Sequence, residues 1–296
     1  MKILIAGASG GLGSALYHHL KPRHEVVGTC FQHPAPHLVK QDLRCRSEVL
    51  AHVRDFAPDL IVNTVALANV DHCEQDKALA FESNVTTAFH LRLAAEQQNI
   101  PLIHLSTSDI FEGTRGHYRE TDPVVPVNFY GASKYAAEQV VQDYAEHLIL
   151  RLTFLAWSAS SKQSFASWLI HSLQQGQRVH LFEDQFNAPL ALPTAVQWIE
   201  KLFNARGTLH LGSERASRYA TGRQLAEAFC THHGVEPTPL LAQIQPCRLQ
   251  DRPLPTPRPV DVSLNCERLA KEWQLSTSLA HEIQSLVAMP EAPGLA

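Results

Sequence analysis

No apolar run in this 296-residue chain approaches the roughly 18 continuous residues that a membrane-spanning helix requires. The apolar start, residues 3–6, is too short for the core of a signal peptide and runs directly into glycines. Lysine and arginine are scattered and the net charge is −4, which argues against a role on nucleic acid or on a membrane surface. These shortages predict a cytoplasmic protein with no nucleic-acid or membrane partner.

Metal-binding patterns are also missing from the sequence. The six cysteines form no Cys-x-x-Cys pair and no zinc-finger spacing, so we expect reduced thiols. Seventeen histidines are many, yet the doublets at 18–19 and 232–233 have no third ligand at a useful distance. The sequence therefore predicts no metal site.

Short apolar strands alternate with helices through the first 155 residues. Strands are expected at 2–6, 25–29, 60–63, 101–105 and 148–152, with helices at 12–20, 49–56, 74–98 (mostly helical) and 129–146. This alternation predicts an α/β fold, a Rossmann-type doubly wound parallel sheet with helices on both faces.

The alternation breaks after about residue 155. We therefore predict a dinucleotide-binding domain at 1–155 and a smaller C-terminal α/β substrate-binding region at 156–296, with the sheet completed by segments near 190–212. Residues 234–260 are rich in proline and are expected to form an ordered loop across a binding cleft. Residues 288–296 are expected to be a frayed tail.

A glycine turn follows the first predicted strand. Gly7, Gly10 and Gly13 allow a tight turn, close approach of a diphosphate to the backbone, and close packing of the following helix on the strand. The N-terminus of that helix offers N–H groups and a positive dipole end to phosphates. The turn predicts a dinucleotide site with the contacts Gly7, Ser9, Gly10, Gly11, Leu12 and Gly13.

The end of the second strand bears on the choice of cofactor. NAD sites place an acid there, about 20 residues beyond the glycines, to bind the ribose. Residues 28–33 contain no aspartate or glutamate, and they contain no arginine that could bind a 2′-phosphate. The region favours NADP(H), with NAD(H) also open.

A tyrosine and a lysine four residues apart share one face of the helix predicted at 129–146. They are Tyr130 and Lys134, and the hydroxyl run 106–108 ends the strand before them. A cation beside a phenol is expected to lower the tyrosine pKa from about 10. Such a tyrosine can exchange a proton with a carbonyl or alcohol oxygen.

Further segments accompany these two motifs in order along the chain. Residues 62–66 and 70–74 read Val-Asn-x-x-Ala and Val-Asp-x-x-Glu, and residues 128–138 read Asn-x-Tyr-Gly-x-Ser-Lys-x-x-x-Glu. Residues 184–189 read Asp-Gln-Phe-x-x-Pro, and Arg-Pro at 258–259 precedes Leu-Asn at 264–265. Over almost the full chain, this set resembles the extended short-chain dehydrogenase/reductases and, within them, the dTDP-4-dehydrorhamnose reductase family.

The resemblance implies roles for individual residues. Thr107, Tyr130 and Lys134 would be the catalytic hydroxyl, the proton donor and the supporting cation, and Tyr130 and Lys134 would also contact the cofactor. The other implied contacts are Asp42 and Leu43 with the adenine; Asn63, Ala66 and Asn84 along the cofactor channel; and Ser108, Asp109, Phe154, Asp184, Gln185 and Arg258 with a nucleotide-sugar.

Two departures from the family pattern fall where the sugar would lie. Residues 106–111 read Ser-Thr-Ser-Asp-Ile-Phe where the family usually has Ser-Thr-Asp-Tyr-Val-Phe, and Phe154 replaces the usual tryptophan. The Thr-Asp-Glu of related nucleotide-sugar dehydratases is also missing, which argues against a dehydratase. The particular sugar stays open.

The resulting hypothesis is an NAD(P)H-dependent reductase of a ketone, most simply a nucleotide-linked 4-keto-sugar. One alternative is a non-catalytic, NADP-bound regulatory subunit, because the methionine adenosyltransferase regulatory subunit resembles the same family. Another is a reductase of a non-sugar ketone. The oxidative direction, an epimerase and a homodimer also stay open.

Overall fold

The computed structural model describes residues 1–158 and 164–290. Its strands are β1 (Lys2–Ala6), β2 (Glu25–Cys30), β3 (Val39–Lys40), β4 (Leu60–Asn63), β5 (Leu102–Thr107), β6 (His147–Leu155), β7 (Val179–Phe182), β8 (Phe186–Asn187), β9 (Pro189–Ala191), β10 (Gly207–Leu211), β11 (Ala216–Ser217) and β12 (Ile244–Cys247). Its helices are α1 (Gly11–Leu20), α2 (Arg46–Phe56), α3 (Val70–Gln75), α4 (Lys77–Phe81), α5 (Thr87–Gln98), α6 (Phe129–Gln142), α7 (Phe165–Gln174), α8 (Leu192–Lys201), α9 (Arg218–His232), α10 (Thr238–Leu241), α11 (Glu267–Trp273) and α12 (Leu279–Val287).

Eight strands form one parallel sheet in the order β3-β2-β1-β4-β5-β6-β10, with β9 also pairing with β6. The direction of winding reverses between β1 and β4. In such sheets a ligand lies outside the carboxyl ends of the strands at this reversal point. The predicted Rossmann-type α/β class is confirmed.

Alternate residues of β1 enter different cores, because successive strand side chains point to opposite faces. Ile3 and Ile5 pack on the face covered by α1, α8 and α11, whereas Leu4 and Ala6 pack on the face covered by α2, α5 and α6. All four side chains are buried. The sheet is therefore covered on both sides, and the edge at the carboxyl ends of its strands is left to form the site.

The later part of the chain builds a second core. Helices α7, α9 and α12 enclose it, together with β7 and β12, which pair in parallel. Strands β9 and β10 belong instead to the main sheet. The boundary near residue 155 between two domains stays a prediction.

The helix expected at 129–146 ends earlier, at Gln142, and three other segments differ in organisation from the sequence-based expectations. The helical stretch at 74–98 begins earlier, at Val70, and is interrupted at Asp76, which caps α4, and by a π-helical turn at Glu82–Thr86. The expected loop 234–260 contains α10 and β12, because β7 offers a free edge for pairing. Met289, placed in the expected tail, packs against two hydrophobic clusters, and residues 291–296 lie outside the described range.

Within the described parts of the chain, none of the helices has both the length and the apolar character needed to cross a membrane.

Candidate functional site

The start of α6 is held against the loop that follows β5. The side chain of Asn128 caps the helix by accepting a hydrogen bond from the Gly131 amide at 2.9 Å. A Cβ on Gly131 would collide with the carbonyl oxygen of Asp109, so only glycine allows this approach. The contact places Tyr130, one residue before the glycine, beside the end of β5.

Three side chains of α6 at intervals of four residues share the face that meets the sheet. They are Tyr130, Lys134 and Glu138. The Lys134 ammonium donates to the Leu105 carbonyl oxygen at 2.7 Å, and Glu138 accepts a bidentate pair of hydrogen bonds from Arg151 of β6. This face is therefore fixed to β5 and β6 by buried polar contacts.

The expectation that Lys134 lowers the tyrosine pKa is wrong for the protein chain itself. Burial raises the pKa of the Tyr130 phenol above its ordinary value, and the negative charge of Asp109 raises it further. The Thr107 hydroxyl acts in the opposite direction but does not reverse the shift. The phenol is thus protonated at neutral pH, which is the state that a proton donor needs.

Lys134 lies in a small polar network beneath the phenol. Its Nζ is 3.5 Å from Nε2 of His104, and Nδ1 of the same ring accepts from the Asn63 side-chain amide at 3.0 Å. Burial and the nearby Lys134 hold the pKa of His104 well below its ordinary value, so the ring is neutral. Burial likewise lowers the pKa of Lys134 to about 8, against an opposing effect of Glu138.

The lowered pKa of Lys134 predicts a pH-dependent stability. Below about pH 8 both the folded and the unfolded chain carry the ammonium, and the cost of burying it is present in full. Between about 8 and 10.5 the unfolded chain holds more protons, so stability rises with pH by up to roughly 3 kcal/mol.

Lys134→Met removes this titration while keeping an unbranched side chain in the same space. We expect the difference in unfolding free energy between wild type and variant to move in favour of wild type from about pH 7 to about pH 10. Urea unfolding at both pH values measures the difference, and other groups that titrate in this range cancel in the comparison. Parallel curves for the two proteins would contradict the expectation.

A cavity of about 610 Å³ lies at the carboxyl ends of β5 and β6. Thr107 and Tyr130 form part of its wall, and Lys134 lies buried behind them. Ser106 also borders the cavity, and its buried hydroxyl has no hydrogen-bond partner within residues 1–158 and 164–290. The hydroxyls of Ser106 and Thr107 and the phenol of Tyr130 therefore border one cavity, where they can form hydrogen bonds with an oxygen atom of a ligand.

Three charged side chains border the same cavity. Burial raises the pKa of Asp109, and the positive charges of Arg218 and Arg258 oppose that shift. The Arg218 guanidinium lies 4.3 Å from the centre of the Phe165 ring, and Arg258 donates to Asp71 at 3.0 Å. Asp71 balances the charge of Arg258, and Arg218 forms no salt bridge with an acid among the described residues, so the wall offers guanidinium groups that suit an anionic ligand.

Of the other residues predicted to contact the sugar, two border the cavity and two do not. Phe154 and Gln185 border the cavity as expected. Ser108 does not, because its hydroxyl is buried in a 2.7 Å hydrogen bond with Thr153. Asp184 does not either, because its carboxylate accepts from the Leu249 amide at 3.0 Å. The proline-rich segment contributes Leu254, Arg258 and Pro259.

A second cavity, of about 320 Å³, lies where the sheet reverses between β1 and β4. Predicted cofactor residues on its wall are Gly7, Ser9, Gly10, Asp42, Leu43 and Ala66. Gly11 is exposed at the start of α1, whereas Leu12 packs its side chain into the core and Gly13 lies against the carbonyl of Gly7.

The backbone of the glycine turn fits a dinucleotide diphosphate. Gly7 has a φ of +83°, which a residue with a side chain rarely adopts. The first amides of α1 have no partner inside the helix, and Gly10 has no side chain to cap them. These amides and the helix dipole are free to meet phosphate oxygens.

Asn63 and Asn84, predicted along the cofactor channel, do not border the second cavity. Both are fully buried. Asn63 accepts from the Val65 amide at 3.0 Å, and Asn84 accepts from the Leu67 amide at 2.7 Å. They shape the loop after β4, whose residue Ala66 borders the second cavity.

The sequence reasoning missed two arginines. Arg44 borders the second cavity beside residues 31–33, although no arginine stands at the end of β2 itself. Asp42, two residues before Arg44 and predicted to contact the adenine, was the sequence signal that could have pointed to this arginine. Arg218 borders the larger cavity at the start of α9, where no motif marks it. No group of three or more His, Cys, Asp or Glu that could hold a metal occurs within the described ranges.

Comparison with known proteins agrees with this geometry. Residues 1–289 match the family model described as RmlD substrate binding domain. The Haloferax volcanii protein named "Probable low-salt glycan biosynthesis reductase Agl14" is 31% identical over 272 residues, 87% of this chain and 88% of that protein. The dTDP-4-dehydrorhamnose reductase of Sinorhizobium fredii is 28% identical, over 94% of this chain and 95% of its own length.

A solved structure gives the same fold. The dTDP-4-dehydrorhamnose reductase of Bacillus anthracis, in complex with NADP, superposes with a TM-score of 0.83 at 22% identity, covering 96% of this chain and 98% of that one. The match of the family model over nearly the whole chain confirms the predicted family. The chain therefore belongs to the RmlD substrate binding domain family of the extended short-chain dehydrogenase/reductases, a class of NAD(P)-dependent oxidoreductases.

Proposed function

We propose that this chain is an NADPH-preferring reductase of a nucleotide-linked 4-keto-sugar, with Tyr130 as the proton donor. One observation carries the proposal: Thr107 and Tyr130 both border the 610 Å³ cavity, and Lys134, one helical turn after Tyr130, is buried and donates to the Leu105 carbonyl of β5. The names of the relatives, sugar reductases over nearly their full lengths, support the same class of substrate.

The proposed chemistry assigns one task to each of the three side chains. NADPH, when bound, supplies the hydride that reduces the carbonyl carbon. Tyr130 transfers its phenolic proton to the oxygen that becomes negative, and Thr107 donates a hydrogen bond to that oxygen. Lys134, one helical turn after Tyr130 and hydrogen-bonded to the Leu105 carbonyl of β5, is assigned the role of the cation that stabilises the phenolate that the transfer leaves.

The charges of the larger cavity suit a diphosphate-linked substrate. Arg218 and Arg258 place two guanidinium groups on its wall. Arg258 is held there by the Thr256 carbonyl and the Asp71 carboxylate. Asp109 stands where the family usually has tyrosine and borders the same cavity. Its carboxyl group suits a hydroxyl or amino donor of the sugar ring.

The three alternatives are less well supported. A non-catalytic regulatory subunit needs no protonated phenol beside a hydroxyl in an open cavity, and the relatives named above are reductases. A small non-sugar ketone gives no use for two arginines on the cavity wall. An epimerase uses the same three side chains, so direct product analysis separates it from a reductase.

The decisive experiment is a substrate screen with the purified full-length chain. We expect loss of NADPH absorbance with at least one dTDP-, UDP- or GDP-linked 4-keto-sugar and none with small ketones of similar reactivity. Product analysis should show a new hydroxyl and no change at neighbouring carbons. Oxidation of NADPH only with small ketones, or only epimerised product, would overturn the proposal.

A further inference from the structure

We propose that Arg44 is the residue that binds the 2′-phosphate of NADP(H), and that Asp42 positions it. The inference concerns the cofactor half of the proposed function and adds a ligand group and a residue to it. It begins from the second cavity, where Arg44 stands on the wall with Phe31, Gln32 and His33.

The topology brings Arg44 to this wall. Strand β3 pairs in parallel with β2, with Thr29 opposite Val39 and Cys30 opposite Lys40. The carboxyl ends of the two strands therefore meet at one edge, and the loop after β3 lies beside the loop after β2. In sites of this fold the loop after β2 is next to the ribose that carries the 2′ group.

Asp42 holds the Arg44 guanidinium in one orientation. Nε of Arg44 donates to Oδ1 of Asp42 at 2.9 Å, and Nη2 of Arg44 donates to Oδ2 of Asp42 at 2.8 Å, which makes a bidentate pair. The Arg44 amide also donates to Oδ1, at 3.0 Å. Hydrogen bonding from Arg44 is the main reason that the pKa of Asp42 lies below its ordinary value.

This pairing argues against an NAD-selecting role for Asp42, which the family resemblance places beside the adenine. An acid that selects NAD must offer its oxygens to the ribose 2′-hydroxyl. Here both oxygens already accept from Arg44, so the carboxylate is matched by a cation within the same loop. Asp42 is therefore a positioning residue for the arginine.

The remaining edge of the guanidinium is available for a phosphate. Nη1 lies 3.6 Å from the carboxylate of Glu82, whose side chain is 55% exposed, so this contact is weak and easily replaced. The Cζ atom of the Arg44 guanidinium lies 4.9 Å from the centre of the Phe31 ring, a cation–π contact that supports it from one side. A fixed, planar cation with free N–H groups matches the geometry of a phosphate dianion.

Nucleotide fragments test the assignment without any carbonyl substrate. Calorimetric titration of the full-length chain with 2′,5′-ADP and with 5′-AMP isolates the contribution of the 2′-phosphate. We expect wild type to bind 2′,5′-ADP roughly 10–100-fold more tightly than 5′-AMP, as charge-assisted hydrogen bonds imply. Arg44→Gln should abolish this preference and leave the affinity for 5′-AMP unchanged.

A matched control removes an arginine two residues away. Arg46 is exposed and does not border the cavity, so Arg46→Gln should keep the wild-type preference. Circular dichroism shows whether each variant is folded. The assignment is overturned if wild type does not distinguish the two fragments, or if Arg44→Gln weakens both equally, which a purely structural role of the loop would produce.

The outcome is independent of the reductase test. Fragment binding does not involve Thr107, Tyr130 or the larger cavity, so a chain that reduces no keto-sugar can still show the preference. Conversely, a negative result leaves a reductase that uses NADH equally well.

Discussion

Replacing Tyr130 with phenylalanine is expected to lower kcat about 10²–10⁴-fold while the affinity for NADPH stays within about twofold of wild type. The phenol is the acidic hydroxyl that α6 places on the cavity wall, and the raised pKa keeps its proton in place at neutral pH. Phenylalanine keeps the ring and the helix contacts and removes only the proton donor. Steady-state kinetics with the substrate found by screening, together with NADPH fluorescence titration, measures both quantities.

The same helix supplies a control for this substitution. Tyr135 lies on α6 but packs beside the cluster around Phe111 and does not border the larger cavity. Tyr135→Phe should therefore change kcat by less than about threefold, since no reacting group is removed. Turnover of Tyr130→Phe at the wild-type level would exclude the phenol as the proton donor.

Gly13→Ala is expected to destabilise the fold by about 1–3 kcal/mol and to weaken NADPH binding by roughly tenfold or more. The added Cβ would lie 2.6 Å from the Thr64 hydroxyl and 3.0 Å from the Ala8 Cα, and would also meet the carbonyl oxygen of Gly7. To relieve these contacts α1 must move away from β1. That movement carries the first helical amides away from the diphosphate position.

Gly11→Ala is the matched control, because a Cβ at position 11 meets nothing within 4 Å. Both substitutions add one methyl group to the first turn of the same helix. We expect Gly11→Ala to leave stability within about 1 kcal/mol of wild type. Thermal unfolding and NADPH titration on both variants provide the comparison, and equal effects of the two would contradict the close-packing explanation.

The fold was largely predictable because its signals are local. A five-residue apolar strand, three glycines and a helix fix the first βαβ unit, and the same alternation repeats as far as β6. What escaped prediction depends on pairing between distant segments. Strand β12 forms only because β7, about 60 residues earlier, leaves an edge open to it.

The candidate site likewise combines features that local sequence signals predict with features that depend on contacts between distant segments. Thr107, Tyr130 and Lys134 could be predicted as candidates because their spacing within a strand end and one helix carries the information, and their catalytic roles stay predictions. The pKa of Tyr130 was predicted in the wrong direction, because burial and the charge of Asp109 come from the folded surroundings and not from residue spacing. Arg44 escaped because the partner that brings it to the cavity, the β2–β3 pairing, involves a strand of only two residues.

The buried contacts of α6 have a mechanical consequence. Lys134 is hydrogen-bonded to β5 and Glu138 to β6, one helical turn apart, so sliding or rotation of the helix would break charged hydrogen bonds between buried groups. The position of the phenol relative to the sheet is thus fixed by buried contacts at both ends of this helix face: Gly131 against Asp109 at its start, and Lys134 and Glu138 farther along. Substitutions of residues on the cavity wall can therefore change which ligand binds while the position of the Tyr130 hydroxyl stays constant.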